Sequence, residues 1–138
     1  MREIKFRGKN VYTDEWVYGN LITTAPEVAP TIVTTGSSSV GYSQIEHTVD
    51  IDTVGQYTEQ NDNSQDNIEI FEGDIVARTV LAFGDQRTFI GEVKMYEGCW
   101  WIDNGTAVVP LWNEFHELKV LGNIHNNLEL LEVQHDSK

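Results

Sequence analysis

The sequence contains little cysteine, proline, lysine or arginine, and two of these shortages exclude classes of protein. Cys99 is the only cysteine among 138 residues. The chain therefore forms no internal disulfide and no metal site built from several thiolates. Nine Lys and Arg stand against 22 Asp and Glu, which gives a formal net charge of -13. Coating nucleic acid or lying on an anionic membrane needs a surplus of cations, so the composition disfavours both functions.

Long apolar segments are also missing. No run approaches the roughly 20 apolar residues of a membrane span. The opening residues, from Met1 to Lys5, carry no apolar signal segment. Hydrophobic residues still make up 40% of the chain, which is enough for a packed core. These features predict a soluble, intracellular globular protein.

Charge is distributed unevenly along the chain. Arg2, Lys5, Arg7 and Lys9 supply four of the nine cations, whereas residues 10–77 contain no Lys or Arg and twelve acidic residues. Two interpretations stay open for this acidic span. It is either a solvated surface that keeps the protein soluble or a docking face for a basic partner.

Short segments with a period of two, separated by turn residues, predict the secondary structure. Ile4 and Phe6 alternate with Lys5 and Arg7, and a second β pattern follows, so we expect a hairpin over residues 2–24. Further strand or turn patterns lie at residues 31–35, 45–54, 75–78, 88–96, 99–102, 107–109, 119–124 and 128–133. The pattern is typical of a mainly β protein, a short-stranded barrel or sandwich, with at most one or two short helices.

One helix and three loops complete this prediction. Leu111, Phe115 and Leu118 have helical spacing within residues 110–119. Residues 36–39 have the composition of a flexible loop. Residues 60–67 are wholly polar, which predicts an exposed loop or a boundary between lobes. Residues 103–106 contain Asn-Gly, which favours a type I′ hairpin turn.

The polar segment suggests a division of the chain. We expect an N-terminal β lobe at residues 1–59, the polar loop at residues 60–67 and a C-terminal β lobe at residues 68–138, although one compact unit remains an alternative. The glycine spacing and strand rhythm of the second lobe resemble an SH3-like barrel. Asp74 is expected to cap the turn before its own strand by accepting a backbone hydrogen bond.

Motifs for catalysis are incomplete. No serine lies in a Gly-x-Ser-x-Gly elbow. His116-Glu117 begins like a zinc-protease motif, but Val120 stands where the second histidine belongs. Cys99, beside Trp100, is expected to be a buried, inert thiol. We predict no catalytic residue and no enzymatic activity.

A metal or cofactor site is not expected either. Asp62, Ser64 and Asp66 have the spacing of calcium ligands, but Asn67 replaces the required glycine. No glycine-rich phosphate loop occurs. The four histidines are expected to have structural or surface roles.

Two adjacent tryptophans are the strongest sign of a binding surface. Trp100 and Trp101 must point to opposite faces of a strand, so both cannot pack in one core. The ring on the outer face either binds a partner, because tryptophan is enriched at binding hot spots, or packs between lobes of the same chain.

Several segments together resemble the YopX family of small bacteriophage and prophage proteins. They lie in the expected order over nearly the whole chain: REIKFRGK from Arg2, WVYGNLI from Trp16, TVGQYT from Thr53, FEGDIV from Phe71, GEV from Gly91 and GNIHNNLELL from Gly122. The sequence departs from the family after Gln60, where a turn with lysine and glycine is usual. The resemblance implies a phage or prophage protein made in the cytoplasm of a bacterial host, and it brings no catalytic residue.

We therefore expect an accessory protein that is a non-enzymatic protein-binding or self-assembling module. Trp100 and Trp101 are its candidate partner-binding residues, and a protein partner or a homo-oligomer is expected, with no membrane. The alternative is a nucleic-acid-binding protein of phage replication or regulation. In that case phosphates would contact the basic N-terminal edge formed by Arg2, Lys5, Arg7 and Lys9.

Overall fold

The computed structural model describes residues 4–38, 41–82, 84–112 and 117–131. Within these ranges the chain forms eleven strands, and the mainly β prediction is confirmed. The strands are β1 (Phe6–Lys9), β2 (Trp16–Ile22), β3 (Thr31–Ser38), β4 (Gly41–Thr48), β5 (Gly55–Asn61), β6 (Glu69–Phe71), β7 (Asp74–Ala82), β8 (Asp85–Tyr96), β9 (Cys99–Asp103), β10 (Val108–Pro110) and β11 (Glu117–Asn123). A 3-10 helix covers Ile51–Thr53, and residues 129–131 are helical.

The strands form two antiparallel sheets. The first has the order β4-β3-β2-β1-β5-β6, and the second has the order β10-β9-β8-β7-β11. The chain divides into two compact units, one ending at Tyr57 and one beginning at Thr58. No helix in the described ranges is long and apolar enough to cross a membrane.

The core of the N-terminal unit depends on glycines that let neighbouring groups approach closely. Ile32 and Val49 are fully buried. A Cβ on Gly8 would lie 3.0 Å from the Cβ of Val49, and a Cβ on Gly19 would lie 2.3 Å from the Val33 carbonyl oxygen. Side chains at Gly8 and Gly19 would therefore push the packed groups apart.

The core of the C-terminal unit lies on one face of the second sheet. Its buried members are Ile70, Val76, Val93, Ile102, Leu111 and Leu118, with Phe89, Trp100, Val109 and Val120 packed against them. The turn before β7 is closed by Asp74, whose Oδ2 accepts a hydrogen bond from the Phe71 N–H at 2.7 Å. The predicted capping role of Asp74 is therefore confirmed.

The prediction of an SH3-like barrel is wrong because the second sheet is not closed. The meander from β7 to β10, with β11 returning beside β7, gives an open sheet in which the described strands do not close into a barrel. Closure would require the two outer strands to pair. β10 has only 3 residues, and Asp62 and Asn63 accept hydrogen bonds from the β11 N–H groups of Val120 and Leu118.

Four local predictions are also corrected. Residues 36–38 extend β3 instead of forming a loop, because they pair with residues 41–43 of β4. The strand pattern at residues 45–54 ends at Thr48, before the 3-10 helix. The helix over residues 110–119 is wrong at both ends, which belong to β10 and β11, while residues 113–116 lie outside the described part. Residues 128–133 were expected to be a short strand or turn; residues 129–131 are helical, and residues 132 and 133 lie outside the described part.

The Asn-Gly turn is a longer loop than expected. Asp103 pairs with Val108, so four residues connect β9 to β10. Among the described residues of this loop only Gly105 has a positive φ, at 98°, whereas a type I′ turn needs two such residues. Asn104 closes the loop instead, since its side-chain oxygen accepts hydrogen bonds from the N–H groups of Thr106 and Ala107.

Candidate functional site

The two adjacent tryptophans of β9 lie on opposite faces of the second sheet. Trp100 pairs across the sheet with Met95 and packs against the core of the C-terminal unit. Trp101 pairs with Lys94 on one side and Pro110 on the other, which places it on the face away from that core. Both rings are half-buried. The expected alternation is present, but neither ring is fully exposed.

The outer face around Trp101 combines aromatic, aliphatic and charged groups. We call it the Trp101 surface and define it by Lys94, Tyr96, Trp101, Asp103 and Val108. Tyr96 is 43% exposed and Val108 46% exposed. Apolar surface on this face is therefore accessible to a partner.

Hydrogen bonds fix the Trp101 surface. The indole N–H of Trp101 donates to the Tyr96 carbonyl oxygen at 3.2 Å. The Tyr96 hydroxyl donates to Asp103 Oδ2 at 3.1 Å, and Lys94 Nζ lies 3.4 Å from the same oxygen. Because these side chains are already ordered, binding through them would cost little conformational entropy.

Hydrogen bonds, burial and neighbouring charges all shift pKa values on this surface. A hydrogen bond from the Gly105 N–H is the main reason that the pKa of Asp103 is lowered, and Tyr96 and Lys94 lower it further. Partial burial alone would lower the pKa of Lys94, but the carboxylates of Glu92 and Asp103 outweigh burial and raise it. Burial raises the pKa of Glu92 against the opposing effect of Lys94. Lys94 and Asp103 are thus held as an ion pair.

The prediction that Cys99 is buried is wrong. Cys99 is exposed, because it begins β9 directly after a tight turn in which Glu97 and Gly98 both have positive φ values. Its position two residues before Trp101 places it on the same face of the strand. The apolar residues beside Cys99 in the sequence gave no sign that the strand starts there.

Trp112 was not among the residues predicted to bind a partner. Its side chain is 56% exposed, and it follows β10 directly. Lys94 and Tyr96 were also missed as members of a site, because only the pairing of β8 with β9 brings them beside Trp101. Asp103 was missed too, although it lies two residues after Trp101 on β9 and so on the same face. Strand alternation could have placed each residue on a face but could not give the register.

The described cations of the basic N-terminal edge make contacts with other residues of the same chain. The Arg7 guanidinium lies 4.9 Å from the centre of the Trp16 ring, and Lys9 Nζ lies 5.8 Å from the same ring. Lys5 lies 5.2 Å from the Tyr57 ring. Arg7 is only 5% exposed, whereas Ile4 is 63% exposed. The face of β1 expected to be polar and accessible therefore holds a buried cation, which reduces its access to phosphates.

The remaining cations of this edge add little to a phosphate site. Lys9 Nζ lies 3.6 Å from Asp14 Oδ1, and the Lys9 side chain is 22% exposed. Arg2 lies outside the described residues. The structure thus brings Lys5, Arg7 and Lys9 to one strand but places two of them against the Trp16 ring and the third against Tyr57.

The polar segment at residues 60–67 is not a simple exposed loop. Residues 60 and 61 belong to β5, and Asp62 is 1% exposed. Asp62 Oδ1 accepts hydrogen bonds from the Ser64 hydroxyl at 2.7 Å and the Ile68 N–H at 2.8 Å, and Oδ2 accepts from the Val120 N–H at 3.0 Å. Asp62 therefore connects the segment to the edge of β11.

A metal site is not found in the described part of the chain. No group of three or more His, Cys, Asp or Glu is arranged as metal ligands there. His47 has its ring nitrogens 3.3 Å from the Asn10 amide nitrogen and 3.3 Å from the Thr34 hydroxyl, which is a structural role. His116 and His135 lie outside the described residues.

Comparisons with known proteins concern the whole chain. Residues 5–132 match a family model described as YopX protein. A crystal structure of a protein from Enterococcus faecalis is similar, with a TM-score of 0.54 and 23% sequence identity, covering 95% of this chain and 99% of that one. At this identity the likeness shows the fold alone. No curated protein matches the chain.

Proposed function

The chain belongs to the YopX family, and we propose that it is a non-enzymatic phage or prophage accessory protein that binds another protein in the cytoplasm of a bacterial host. The Trp101 surface is the binding site in this proposal. The partner presents apolar side chains to Trp101 and Tyr96, surrounded by Lys or Arg.

One observation carries this proposal: Trp101 lies on the face of β9 away from the core that packs Trp100. Tryptophan and tyrosine contribute disproportionately to binding free energy when a partner covers them. The hydrogen bond from Trp101 to the Tyr96 carbonyl and the ion pair of Lys94 with Asp103 hold the surface in one arrangement.

The net charge of -13 favours a basic partner. Complementary charge increases the rate of association and disfavours acidic competitors. The carboxylates of Glu92 and Asp103 lie beside Lys94, with side chains that are 21% and 15% exposed. They provide acceptors for the cations of the partner, while Tyr96 and Val108 provide the accessible apolar part of the Trp101 surface.

The test is capture of the partner by variants of the full chain. We expect Trp101→Ala to weaken capture from host cells by about tenfold or more, because removing a hot-spot ring costs about 2 kcal/mol or more. Tyr12→Ala is the control, since Tyr12 is an aromatic residue of the other unit and is 83% exposed. It should capture the same protein as the wild type.

Thermal melts of both variants separate binding from folding. If Trp101→Ala has a native melt and still captures the partner at full strength, the Trp101 surface is not the binding site. If Trp101→Ala melts much earlier and capture falls only in proportion to unfolding, the ring packs within the chain. Either outcome contradicts the proposal.

A further inference from the structure

β4 is an accessible edge of the first sheet. It stands at one end of the strand order and pairs with β3 through eight consecutive residue pairs, from Thr31 with Thr48 to Ser38 with Gly41. Residues 43–46 are all exposed. A strand in this position presents a row of backbone donors and acceptors to its surroundings.

The backbone hydrogen bonds show which groups of β4 point outward. The Val49 N–H donates to the Pro30 carbonyl at 3.0 Å, so residues 49 and 30 form a hydrogen-bonded pair. In an antiparallel ladder such pairs alternate, so residues 47, 45 and 43 also point toward β3. Residues 48, 46, 44 and 42 point the other way. The Thr48 carbonyl confirms this direction, because it accepts a hydrogen bond from the Val11 N–H at 3.0 Å on that outer side.

β4 lacks the features that usually protect an edge strand. It contains no proline, lysine or arginine, its only carboxylate is Glu46, and its register with β3 is continuous. The other edges differ. β6 and β10 have 3 residues each, and β10 contains Pro110. β11 is covered by Asp62 and Asn63. Among the described strands, β4 is therefore the long edge left open to pairing.

We infer that residues 42–46 of β4 pair antiparallel with the same residues of a second copy, across a two-fold axis at Gln44. Residue 44 then pairs with its own copy, and residue 42 pairs with residue 46 of the partner. All three of these residues point their N–H and C=O groups outward, so each pair exchanges both backbone hydrogen bonds. The two first sheets become one continuous sheet.

The residues of β4 suit this self-pairing. A Gln44 amide both donates and accepts, so it complements its own copy across the axis. Glu46 meets residue 42 of the partner instead of another Glu46, which avoids two like charges directly opposite each other. Both strands are already ordered by β3, so pairing them costs less entropy than ordering a free peptide.

Charge exchange at Gln44 tests the inference. We expect the wild type to sediment as a dimer whose fraction rises with concentration. Gln44→Lys and Gln44→Glu should each raise the dimer dissociation constant by about tenfold or more, because like charges then meet on the axis. An equimolar mixture of the two variants should restore the dimer, since opposite charges meet there.

Thr35→Lys is the matched control. Thr35 is exposed on β3, pairs with Gln44 and so lies on the same face, one strand away from the edge. It should dimerise like the wild type, and so should Trp101→Ala, which separates this inference from the proposed function. A monomeric wild type at its highest soluble concentration overturns the inference. So does a mixture that stays monomeric, or a Gln44→Lys variant that dimerises fully.

Discussion

Asp62 combines near-complete burial with an ionised carboxylate. Burial alone would raise its pKa, but hydrogen bonds from the Val120 N–H, the Ser64 hydroxyl and the Ile68 N–H outweigh burial and lower it. The carboxylate thus stabilises the fold in its charged form, by satisfying backbone donors of β11 and of its own loop. Its role is structural even though it lies in the most polar segment of the chain.

We expect Asp62→Asn to lower the free energy of unfolding at neutral pH by about 2–3 kcal/mol, because an amide cannot accept all of these hydrogen bonds. Urea denaturation measures the loss. Asp66→Asn is the control, because Asp66 is exposed in the same loop, and it should change stability by less than about 0.5 kcal/mol.

The stabilisation that the Asp62 carboxylate provides decreases as the pH falls. A carboxyl whose pKa is lower in the folded state stabilises the fold above its unfolded pKa of about 3.9, and this is lost as the pH falls through the folded value. The difference between wild type and Asp62→Asn should therefore shrink in acid. A constant difference from neutral pH to about pH 3 would contradict this role.

Composition could not predict the burial of Asp62. A run of polar residues is usually solvated, and the sequence does not show which backbone groups a carboxylate will meet. The chain returns to Asp62 only through β11, 58 residues later. Asp74 was predictable because its donor, Phe71, is 3 residues away.

At the scale of elements, local patterns predicted two of the hairpins but not their lengths. β1 with β2 and β9 with β10 were expected from alternation and turn residues. Residues 36–38 were expected to be flexible because of their glycine and serine, yet pairing with β4 keeps them extended. Leu111 and Leu118 fit helical spacing but belong to the β core, since packing in the sheet overrides a weak local pattern.

Single substitutions in β9 test whether Trp100 and Trp101 lie on opposite faces of the sheet. We expect Trp100→Ala to cost about 2–4 kcal/mol of unfolding free energy, because it removes packing against Ile102 and its neighbours. Trp101→Ala should cost about 1 kcal/mol or less. Denaturant titrations of the two variants measure both values. Equal losses would mean that both rings pack within the chain.

At the scale of the whole molecule, the net charge of -13 and the placement of the cations both disfavour binding to nucleic acid. Arg7 is buried against Trp16, and Lys9 lies near both Trp16 and Asp14. Phosphate contacts would have to break these intramolecular interactions. The sequence indicated the basic edge. It did not show that β1 pairs with β2, and this pairing brings Trp16 beside the cations, which therefore contact its ring instead of a ligand.

We expect no binding to duplex or single-stranded DNA at physiological salt, as measured by fluorescence anisotropy with labelled oligonucleotides. Charge repulsion should keep the signal flat across the accessible protein concentrations. Tight binding that weakens steeply with salt, and disappears when Arg2, Lys5, Arg7 and Lys9 are replaced by Ala, would support the nucleic-acid alternative instead.

The central claim is that a protein covers the Trp101 surface in the cell, and Cys99 reports on it directly. Cys99 is the only cysteine, is exposed and lies on the same face as Trp101. The measurement is its rate of alkylation by a membrane-permeant maleimide, in host cells and in the purified protein. We expect the wild type to be alkylated more slowly than Trp101→Ala in host cells, and the two purified proteins to be alkylated equally fast. Equal rates for the wild type and Trp101→Ala in host cells would contradict the claim.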